Sequence, residues 1–476
     1  MASTHINHHF IDGVFRVAHS AARIDLTDPT TEEVFGSITD GDESDVDAAV
    51  RAADAAGPAW AATSPSERAR LLRALADEFA RRADRISDLI VRQNGTPISI
   101  AAGMQELTVQ NYRYFADLAD ALIVEEERPS ETGDVIVSRL PVGVVAAIIP
   151  WNGPQPLTAW KAGPALAAGC TVVVKPAPET TLDAMVLAEA VTAAGFPPGV
   201  FNVVSGGRET GAAVVAHPKV RKVSFTGSTV AGRAIAEQCG RDLKRVTLEL
   251  GGKSAGIILD DMDLEEFAPF VRSACTPNTG QICRALTRVL APRSRYDEVV
   301  EVIAKTMVDS PIGDPRDPQV FYGPLVNAAQ FNKVLGYIEL GKSEGATVAL
   351  GGGRDSRFDR GYYVEPTVFR DVTNDMRIAR EEIFGPVVVV IPYETVDEAV
   401  AIANDSDYGL GGGVFSADKQ RATEVARRIV SGTVGVNSAS FPMDAPFGGV
   451  KASGIGRELG PNALDAYLDT KTIFRS

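Results

Sequence analysis

Short, continuously apolar runs alternate with alanine-rich stretches along the chain from about residue 140. A strand with one face in water alternates apolar and polar side chains, whereas a strand buried on both faces gives an unbroken apolar run. The unbroken runs therefore favour a parallel, doubly wound sheet over an antiparallel α+β arrangement. The predicted strands cover residues 142–149, 171–174, 200–204, 223–225 and 246–248, and the predicted helices run through Trp160 and Leu166 and over 182–194, 211–216 and 230–239.

A second series of the same kind follows Gly252 and predicts a second αβ unit. Its strands are expected at 257–259, 288–290 and 387–391. The first 115 residues have a mostly helical pattern, with helices expected over 69–88 and 105–121. Residues 123–139 form an extended polar stretch that predicts a hairpin leaving the body. The sequence therefore predicts an α/β fold with two doubly wound αβ domains and a small protruding hairpin.

Composition and charge narrow the classes of partner. Hydrophobic residues make up 45% and charged residues 23% of the 476-residue chain, as in ordinary globular proteins. The net charge of −15 argues against nucleic acid or an anionic membrane as a main partner, because both select clustered Lys and Arg. An anionic cofactor stays compatible with this charge, since one lysine and a helix N-terminus can hold it.

Targeting signals and cysteine content point to a reducing compartment. Residues 1–10 lack the charged and apolar regions of a signal peptide. Residues 140–160 carry no charge, but their prolines argue against a membrane-spanning helix. The four cysteines show neither a CxxC nor a His-spaced metal pattern, so no metal site is predicted. We expect free thiols and a cytoplasmic protein.

Cys283 and Glu249 are the candidate nucleophile and base. A cysteine nucleophile usually gives its proton to a histidine. Four of the five histidines lie in the first nineteen residues, and the fifth is His217. If Cys283 is a nucleophile, a carboxylate must handle protons, and Glu249 is the candidate. Taken alone, Cys283 is also compatible with a small buried thiol of no catalytic role.

A candidate anion site lies at residues 225–228, where the run FTGS separates a predicted strand from a predicted helix. The chain has no clean GxGxxG fingerprint of a dinucleotide site. Gly227 would let the backbone approach a ligand, and Ser228 could cap the helix beside its free N–H groups. The same run is compatible with an ordinary capped helix.

Lys175 and Asn152 follow predicted strands, where ligands bind in open α/β sheets. Lys175 could reach a ribose or phosphate, or it could be a solvated surface lysine. Asn152 could direct its amide at an oxygen that gains charge during a reaction, or it could hold a turn beside Gly153 and Pro154.

Seven short blocks occur in one order along the chain: PWN at 150–152, KP at 175–176, FTGS at 225–228, ELGGK at 249–253, GQIC at 280–283, EIFGP at 382–386 and PFGG at 446–449. With these blocks the chain resembles the aldehyde dehydrogenase superfamily, NAD(P)-dependent enzymes that oxidise aldehydes to acids. The resemblance extends from FIDG at 10–13 to SGIGRE at 453–458. The spacing between Glu249 and Cys283 is also similar to that of the family.

The resemblance implies catalytic roles for five residues. Cys283 would attack the aldehyde to give a thiohemiacetal, whose oxyanion the Asn152 amide and the Cys283 backbone N–H would hold. After hydride transfer to nicotinamide, Glu249 would activate the water that hydrolyses the thioester. Glu458 matches a carboxylate that relays protons with Glu249 and Lys161.

An NAD(P) site is implied as well. Lys175 matches the adenosine-ribose contact and Ser228 the pyrophosphate contact, while Glu382 and Phe384 match positions that hold the nicotinamide ribose and ring. The full implied set is Ile148, Pro150, Trp151, Lys175, Glu179, Gly211, Phe225, Gly227, Ser228, Leu250, Gly251, Glu382 and Phe384.

The choice between NAD and NADP depends on a departure from the family pattern. Members that prefer NAD often carry Glu three residues after the ribose-binding Lys, but this chain has Pro178 there and Glu179 one position later. A carboxylate close to the 2′-hydroxyl would repel a 2′-phosphate, so its displacement leaves NADP open. NAD is the expected cofactor.

The substrate is expected to be a small-molecule aldehyde. Phe441, Phe447 and Trp160 suggest an apolar or aromatic one, and Gly153 suggests a roomy entrance. Arg284 directly follows the nucleophile and could anchor an acidic substrate group or pair within the protein. The implied substrate-binding set is Gly153, Leu157, Trp160, Ile282, Arg284, Phe441 and Phe447.

Domain boundaries and assembly follow from the same resemblance. A Rossmann-like NAD(P)-binding domain would comprise residues 1–120 and 142–251, a catalytic domain residues 252–455, and oligomerisation segments residues 121–141 and 456–476. A homo-oligomer, dimer or tetramer, is expected because the hairpin and the final strand would expose edges.

Three other functions are weighed against aldehyde oxidation with hydrolysis. CoA-acylating relatives generally lack the general-base Glu, which is present here as Glu249. A non-redox Cys hydrolase would not need the nicotinamide contacts, and a catalytically silent relative would not need Cys283, Glu249 and Asn152. Hydrolytic, NAD(P)-dependent oxidation is therefore favoured.

Overall fold

The computed structural model describes residues 4–131, 133–440 and 442–475. Within them the strands are β1 Thr4–Ile6, β2 His8–Ile11, β3 Val14–Val17, β4 Arg23–Asp28, β5 Glu33–Thr39, β6 Glu125–Ser130, β7 Gly133–Pro141, β8 Val144–Ile148, β9 Thr171–Lys175, β10 Phe201–Val203, β11 Val220–Thr226, β12 Arg245–Glu249, β13 Ala255–Ile258, β14 Arg288–Pro292, β15 Thr347–Leu350, β16 Thr367–Arg370, β17 Val387–Tyr393, β18 Gly411–Phe415, β19 Thr433–Val436, β20 Gly454–Ile455 and β21 Leu468–Arg475.

The α-helices of the described residues cover both faces of the large sheets. They are α1 Glu43–Ala61, α2 Pro65–Ala80, α3 Ala83–Asn94, α4 Ile98–Asp120, α5 Pro154–Ala168, α6 Thr181–Ala193, α7 Arg208–Ala216, α8 Thr229–Arg241, α9 Leu264–Phe270, α10 Tyr296–Val308, α11 Ala328–Ser343, α12 Arg377–Arg380, α13 Val396–Asn404 and α14 Lys419–Ala426. In this part of the chain, no helix combines the length and the apolar surface needed to cross a membrane.

The first large sheet has eight strands in the order β20-β12-β11-β8-β9-β10-β2-β3. The run β12-β11-β8-β9-β10 is parallel, while β20 and β2 join its two edges antiparallel. The parallel strands are buried on both faces, as in β8, where every residue is buried. This arrangement confirms the parallel sheet predicted from unbroken apolar runs.

The second large sheet has seven strands in the order β15-β16-β17-β14-β13-β18-β19 and is parallel except for β15. The run Val387–Tyr393 is the third of these strands, between β16 and β14. The prediction of two doubly wound αβ units is confirmed.

The prediction of a mostly helical N-terminal region is wrong for residues 4–39, which form five strands. Four of these strands form two local hairpins, β2 with β3 and β4 with β5, and the first hairpin turns at Asp12 and Gly13, a pair that is itself a sequence signal for a hairpin. Two further pairings extend them: β2 also pairs with β10, and β5 with β1. The predicted helix over 69–88 is also divided, into α2 and α3, because Arg81 and Arg82 cap the adjoining ends.

The predicted hairpin is present as β6 and β7. The final strand, β21, pairs with β7 along the whole length of β21, from Leu468 opposite Pro141 to Arg475 opposite Asp134. The final strand thus lies in the sheet of its own chain. Residues just before it are part of the main body, since Leu459, Leu464 and Tyr467 are buried in the core of the first large sheet.

Candidate active site

Four neighbouring parallel strands of the first large sheet end at the same edge, and three of them end in a polar or charged residue. β8, β9, β11 and β12 end at Ile148, Lys175, Thr226 and Glu249. Because the carboxyl ends of parallel strands lie on the same edge of a sheet, these positions and the loops after them surround one crevice.

The segment that carries Cys283 is fixed by a tight turn. Gly280 has φ of +73°, and a Cβ there would lie 2.0 Å from the carbonyl oxygen of Gly385. Glycine is therefore required where the blocks GQIC and EIFGP touch. The Asn152 Nδ2 donates to the Gln281 carbonyl at 2.9 Å, so the loop after β8 is tied to the same segment.

A cavity of about 180 Å³ joins Cys283 to most of the cofactor residues predicted from the sequence. Burial, followed by the charges of Glu382 and Glu249, raises the pKa of the Cys283 thiol to about 12. The resting thiol is therefore protonated at neutral pH and needs an acceptor for its proton. The cavity is lined by Pro150, Trp151, Asn152, Thr226, Gly227, Ser228, Leu250, Gly251, Cys283, Gln330, Lys333, Glu382 and Phe384.

Glu249 is a buried carboxylate whose two oxygens accept no hydrogen bond from the described residues. Burial and the neighbouring Glu458 raise its pKa well above the ordinary value, against the opposing charges of Lys161 and Arg457. Gly448, in the block PFGG, leaves room for it: a Cβ there would lie 2.5 Å from Glu249 Oε1. Such a group is suited to accept a proton near neutral pH.

Glu458 and Lys161 form a buried ion pair behind Glu249. The Lys161 Nζ donates to Glu458 Oε1 at 2.7 Å and to Thr226 Oγ1 at 2.6 Å. Lys161 is on α5, and Glu458 is held by paired backbone hydrogen bonds with Phe447.

Lys175, Glu179 and the start of α8 are the residues predicted to face the adenosine half of the cofactor. Lys175 is 6% exposed and donates to the Gly206 carbonyl at 2.7 Å, so it is not a solvated surface lysine. Burial lowers its pKa to about 8. Glu179 accepts from the Asn327 Nδ2 at 2.9 Å. Ser228 caps α8, as predicted, by accepting from the Ala231 N–H.

Next to these groups lie Glu382, Trp151 and Phe384, the residues predicted to hold nicotinamide. Glu382 accepts from the Gly252 N–H at 2.8 Å, and a Cβ on Gly251 would lie 2.8 Å from its other oxygen. The rings of Trp151 and Phe384 meet edge to face, with centroids 5.5 Å apart. Phe225 packs beneath Gly227, and Gly211 lies against the Lys175 side chain.

Among the residues predicted to bind substrate, Trp160 and Phe447 pack with centroids 5.3 Å apart, and Leu157 lies beside Gly153. Phe447 and Arg284 also line a second cavity, of about 270 Å³, whose other lining residues are mainly small or apolar. The Arg284 Nη1 donates to the Ala439 carbonyl at 2.6 Å, the kind of pairing within the protein weighed from the sequence. Ile282 is half-buried. Phe441 lies outside the described residues.

Sequence reasoning missed Gln330 and Lys333, which line the cavity beside Glu382. Both are on α11, far along the chain from every block, and Gln330 Nε2 donates to the Phe384 carbonyl at 2.8 Å. Their spacing of one helical turn was the available signal, but it does not distinguish a ligand-facing side from a solvated one.

The residues present fit a pyridine dinucleotide. Lys175, Lys333 and the N-terminus of α8 supply positive potential for phosphates, and the Glu382 carboxylate suits ribose hydroxyls. Within the described part of the chain, no group of three or more His, Cys, Asp or Glu side chains is arranged to hold a metal ion.

Comparison with known proteins decides the family. The sequence profile of the aldehyde dehydrogenase family matches residues 15–473. The chain belongs to the aldehyde dehydrogenase family. The resemblance of the seven blocks and the predicted enzyme class are thereby confirmed.

Individual members of the family resemble the chain over nearly its full length. It is 50% identical over 471 residues to a geranial dehydrogenase of Castellaniella defragrans, covering 98% of each chain. An aldehyde dehydrogenase of Mycobacterium tuberculosis, crystallised with NAD+, superposes with a TM-score of 0.97 at 43% identity, covering 100% of this chain and 99% of that one. A mutant aldehyde dehydrogenase C of Pseudomonas syringae, crystallised with NAD+ and octanal, gives 0.96 at 42% identity, covering 98% and 96%.

Proposed function

We propose that the protein oxidises an aldehyde to the carboxylic acid with NAD+, using Cys283 as nucleophile and Glu249 as base. The observation that carries this proposal is a single cavity that joins a cysteine thiol to residues suited to a dinucleotide, together with Glu249, a buried carboxylate without a hydrogen-bond partner whose charge contributes to the raised pKa of that thiol. The overall reaction consumes one aldehyde, one NAD+ and one water and yields one acid, one NADH and one proton.

In the first half, the Cys283 sulfur bonds to the aldehyde carbon and its proton leaves to a carboxylate such as Glu249. The carbonyl oxygen becomes the oxyanion of a thiohemiacetal. An Asn amide has two N–H donors, and the Asn152 amide uses one on Gln281, so the second can hold the oxyanion together with the Cys283 backbone N–H.

NAD+, when bound, supplies the acceptor for the hydride of the thiohemiacetal. Glu382, Gln330 and Lys333 would hold its nicotinamide half, and Lys175 and Ser228 its adenosine and phosphate half. Trp151 and Phe384 would confine the ring between edge-to-face aromatic groups. NAD+ in the crystallised relatives supports this choice of cofactor.

In the second half, Glu249 removes a proton from water, and the hydroxide adds to the thioester carbon. The carbon–sulfur bond then breaks, which releases the acid, and the Cys283 thiolate that leaves takes this proton back from Glu249 to become the thiol again. The raised pKa of Glu249 suits this role, because a stronger base removes a proton from water more readily. Before this half begins, Glu458 and Lys161 would pass onward the proton that Glu249 took from Cys283 in the first half, and this is the one proton released overall.

The cofactor preference is proposed as NAD over NADP. Glu179 is one residue beyond the position at which NAD-preferring members carry a carboxylate, and Asn327 holds one of its oxygens. The second oxygen can accept from a ribose hydroxyl and repel a 2′-phosphate. Comparison of kcat/KM for the two cofactors tests this preference, and a higher value with NADP+ would contradict it.

An apolar aldehyde of medium length is the proposed substrate class. Ala274, Leu286, Pro442, Ala445 and Phe447 give the 270 Å³ cavity a mainly apolar wall. The relatives named above include a geranial dehydrogenase and a structure with octanal, both consistent with such a wall.

Absorbance of reduced nicotinamide with an aldehyde panel tests the proposed activity. The panel contains aliphatic, aromatic, terpenoid and carboxylated aldehydes, each with NAD+ or NADP+ and with or without CoA. We expect the highest kcat/KM for an apolar aldehyde with NAD+ and no effect of CoA. Strict dependence on CoA would indicate the acylating reaction, and ester hydrolysis without aldehyde oxidation would indicate a non-redox Cys hydrolase.

We also propose that the chain is divided into an NAD-binding part, a catalytic part and oligomerisation segments. A cytoplasmic location and assembly into a homo-oligomer are the second and third of these proposals. The first is supported by the two large sheets, since the crevice with Cys283 lies between residues of both. The second is supported by four free thiols.

A further inference from the structure

Three successive residues shortly before the nucleophile have left-handed backbone conformations. Asn278, Thr279 and Gly280 have φ of +50°, +57° and +73°. Glycine adopts this region without strain, and asparagine tolerates it better than most residues. Threonine is crowded there because its Cβ is branched, so Thr279 is a strained residue. Such a conformation persists only where the surrounding structure holds it.

The side chain of Thr279 supplies contacts that hold this left-handed turn. Thr279 is 1% exposed. Its Oγ1 accepts from the Gly323 N–H at 3.1 Å and donates to the Gly323 carbonyl at 3.4 Å. Two residues further along the chain, Gln281 Oε1 accepts from the Val326 N–H at 3.1 Å. The loop from Gly323 to Val326 therefore holds the turn at two positions.

Gly323 is itself fixed by the end of helix α3. A Cβ on Gly323 would lie 2.4 Å from the carbonyl oxygen of Gly95, the residue that caps α3. In the last turn of the same helix, the Asn94 Nδ2 donates to the Trp151 carbonyl at 2.8 Å. The segment of Trp151 and the loop that holds Thr279 thus contact one helix end.

The left-handed turn also contacts Asn152, the proposed oxyanion donor. The Asn278 Nδ2 donates to the Asn152 carbonyl at 3.3 Å, and the Asn152 Nδ2 donates to the Gln281 carbonyl at 2.9 Å. The turn therefore connects the two groups proposed to hold the oxyanion, the Asn152 amide and the Cys283 backbone N–H. A displaced turn would move these donors relative to each other, and hydrogen bonds to an oxyanion depend on that geometry.

We propose that Thr279 is a positioning residue for Cys283 and for the oxyanion donors. Its hydroxyl holds the left-handed turn against the loop from Gly323 to Val326. The turn then places the Cys283 sulfur and backbone N–H relative to the Asn152 amide. Thr279 acts through the backbone and not by contact with the reacting atoms. This inference rests on the proposed role of Cys283.

Removal of the Thr279 hydroxyl should slow both halves of the reaction. Thr279→Val keeps the branched shape, and we expect it to lower the single-turnover rate of hydride transfer by about tenfold or more, because the reacting groups are misplaced. Acyl-enzyme hydrolysis should slow as well, since an oxyanion forms a second time on the same carbon. The Kd of NAD+ should stay close to wild type. Thr279→Ser, which keeps the hydroxyl, should retain the wild-type rates.

Rapid mixing with an aldehyde and NAD+ measures the single-turnover rates, and thermal unfolding of each variant is the folding check. Thr279→Gly is the second variant, for the case that Thr279→Val does not fold. Glycine adopts the left-handed conformation without strain, but it lacks the hydroxyl, so the same loss of rate is expected. Thr108→Val is the matched control, because Thr108 on α4 is also buried and donates to the Met104 carbonyl at 2.8 Å.

The outcomes separate this inference from the proposed function. If a folded Thr279→Val or Thr279→Gly variant keeps the wild-type single-turnover rate, Thr279 has only a structural role and the inference is wrong. An equal loss of rate in Thr279→Ser or Thr108→Val would also overturn it. Failure of the proposed function is distinct, since the wild-type protein would then reduce no NAD+ with any aldehyde or Cys283→Ala would keep its turnover.

Discussion

Cys283 is the only one of the four cysteines that is not fully buried, and it lines the cavity shared with the cofactor-type residues. We expect Cys283→Ala to lower aldehyde oxidation by more than about a hundredfold, because a covalent nucleophile is lost. NAD+ binding should stay close to wild type, since the adenosine-side residues are distant from the thiol. Steady-state kinetics and NAD+ titration measure the two effects.

Buried cysteines elsewhere in the protein provide matched controls for that variant. Cys170→Ala and Cys239→Ala should leave turnover near normal, although each removes a buried thiol. If Cys283→Ala retains more than about a hundredth of wild-type turnover, Cys283 is not the nucleophile.

Glu249 controls the second half of the reaction in the proposed mechanism. In Glu249→Gln, hydrolysis should slow more than hydride transfer, which gives a pre-steady-state burst of reduced cofactor and an acyl adduct on Cys283 by mass spectrometry. Because burial raises the pKa of Glu249, the wild-type hydrolysis rate should fall with decreasing pH at values above the ordinary glutamate range.

A contrast with Glu382 makes the Glu249 test specific. Glu382→Gln removes a carboxylate from the same cavity, but it should raise the KM for NAD+ without accumulating the acyl adduct. If Glu249→Gln shows neither burst nor adduct and turns over normally, Glu249 is not the base.

At the scale of elements, α5 positions both Trp160 and Lys161, and its packing leaves no spare volume. A Cβ on Gly163 would lie 2.3 Å from a ring carbon of Phe115 on α4. Gly163→Ala should therefore destabilise the protein by about 1–3 kcal/mol through overpacking. Chemical denaturation measures this change in the free energy of unfolding.

Gly103 on α4 is the matched control for Gly163. It is exposed, and a Cβ there would meet nothing within 4 Å. Gly103→Ala should stabilise the protein by about 0.5–1 kcal/mol, because alanine has the higher helix propensity. Equal effects of the two substitutions would show that the contact between α4 and α5 does not limit the size of residue 163.

The whole molecule presents an unpaired edge. In the three-stranded sheet β21-β7-β6 only one edge of β21 is paired, and β21 itself carries exposed apolar side chains, Phe474 at 78% and Ile473 at 38%. Exposed apolar strand edges favour pairing with another chain. We therefore expect a homo-oligomer, dimer or tetramer, and Phe474→Asp should shift it towards the monomer.

Light scattering distinguishes the assembly states, with the monomer at 50.4 kDa. Removal of residues 466–476 should also weaken assembly and lower solubility, but it deletes the buried Tyr467 and Leu468, so the point substitution is the cleaner test. Val308→Asp, at an exposed apolar position on α10, serves as control. A wild-type mass of one chain at micromolar concentration would contradict the prediction.

The sequence by itself determined the parallel sheets and the chemistry. Buried parallel strands require unbroken apolar runs, and these are visible at 142–149, 171–174 and 387–391 without any structure. Residues that end such strands fall at the ligand edge, which is why Lys175 could be identified. The ordered blocks then indicated the family, which the family profile confirmed.

Only the tertiary structure decided features that depend on partners far along the chain. The N-terminal hairpin of β2 and β3 joins the first large sheet through β10, and Gln330 and Lys333 reach the cavity only because α11 packs against the loop of Glu382. The burial of Lys161, Glu249 and Glu458 in one group likewise arises from α5, β12 and the C-terminal segment coming together. Local periodicity reports which face of an element is buried, whereas the charges and side chains that meet there are set by long-range packing.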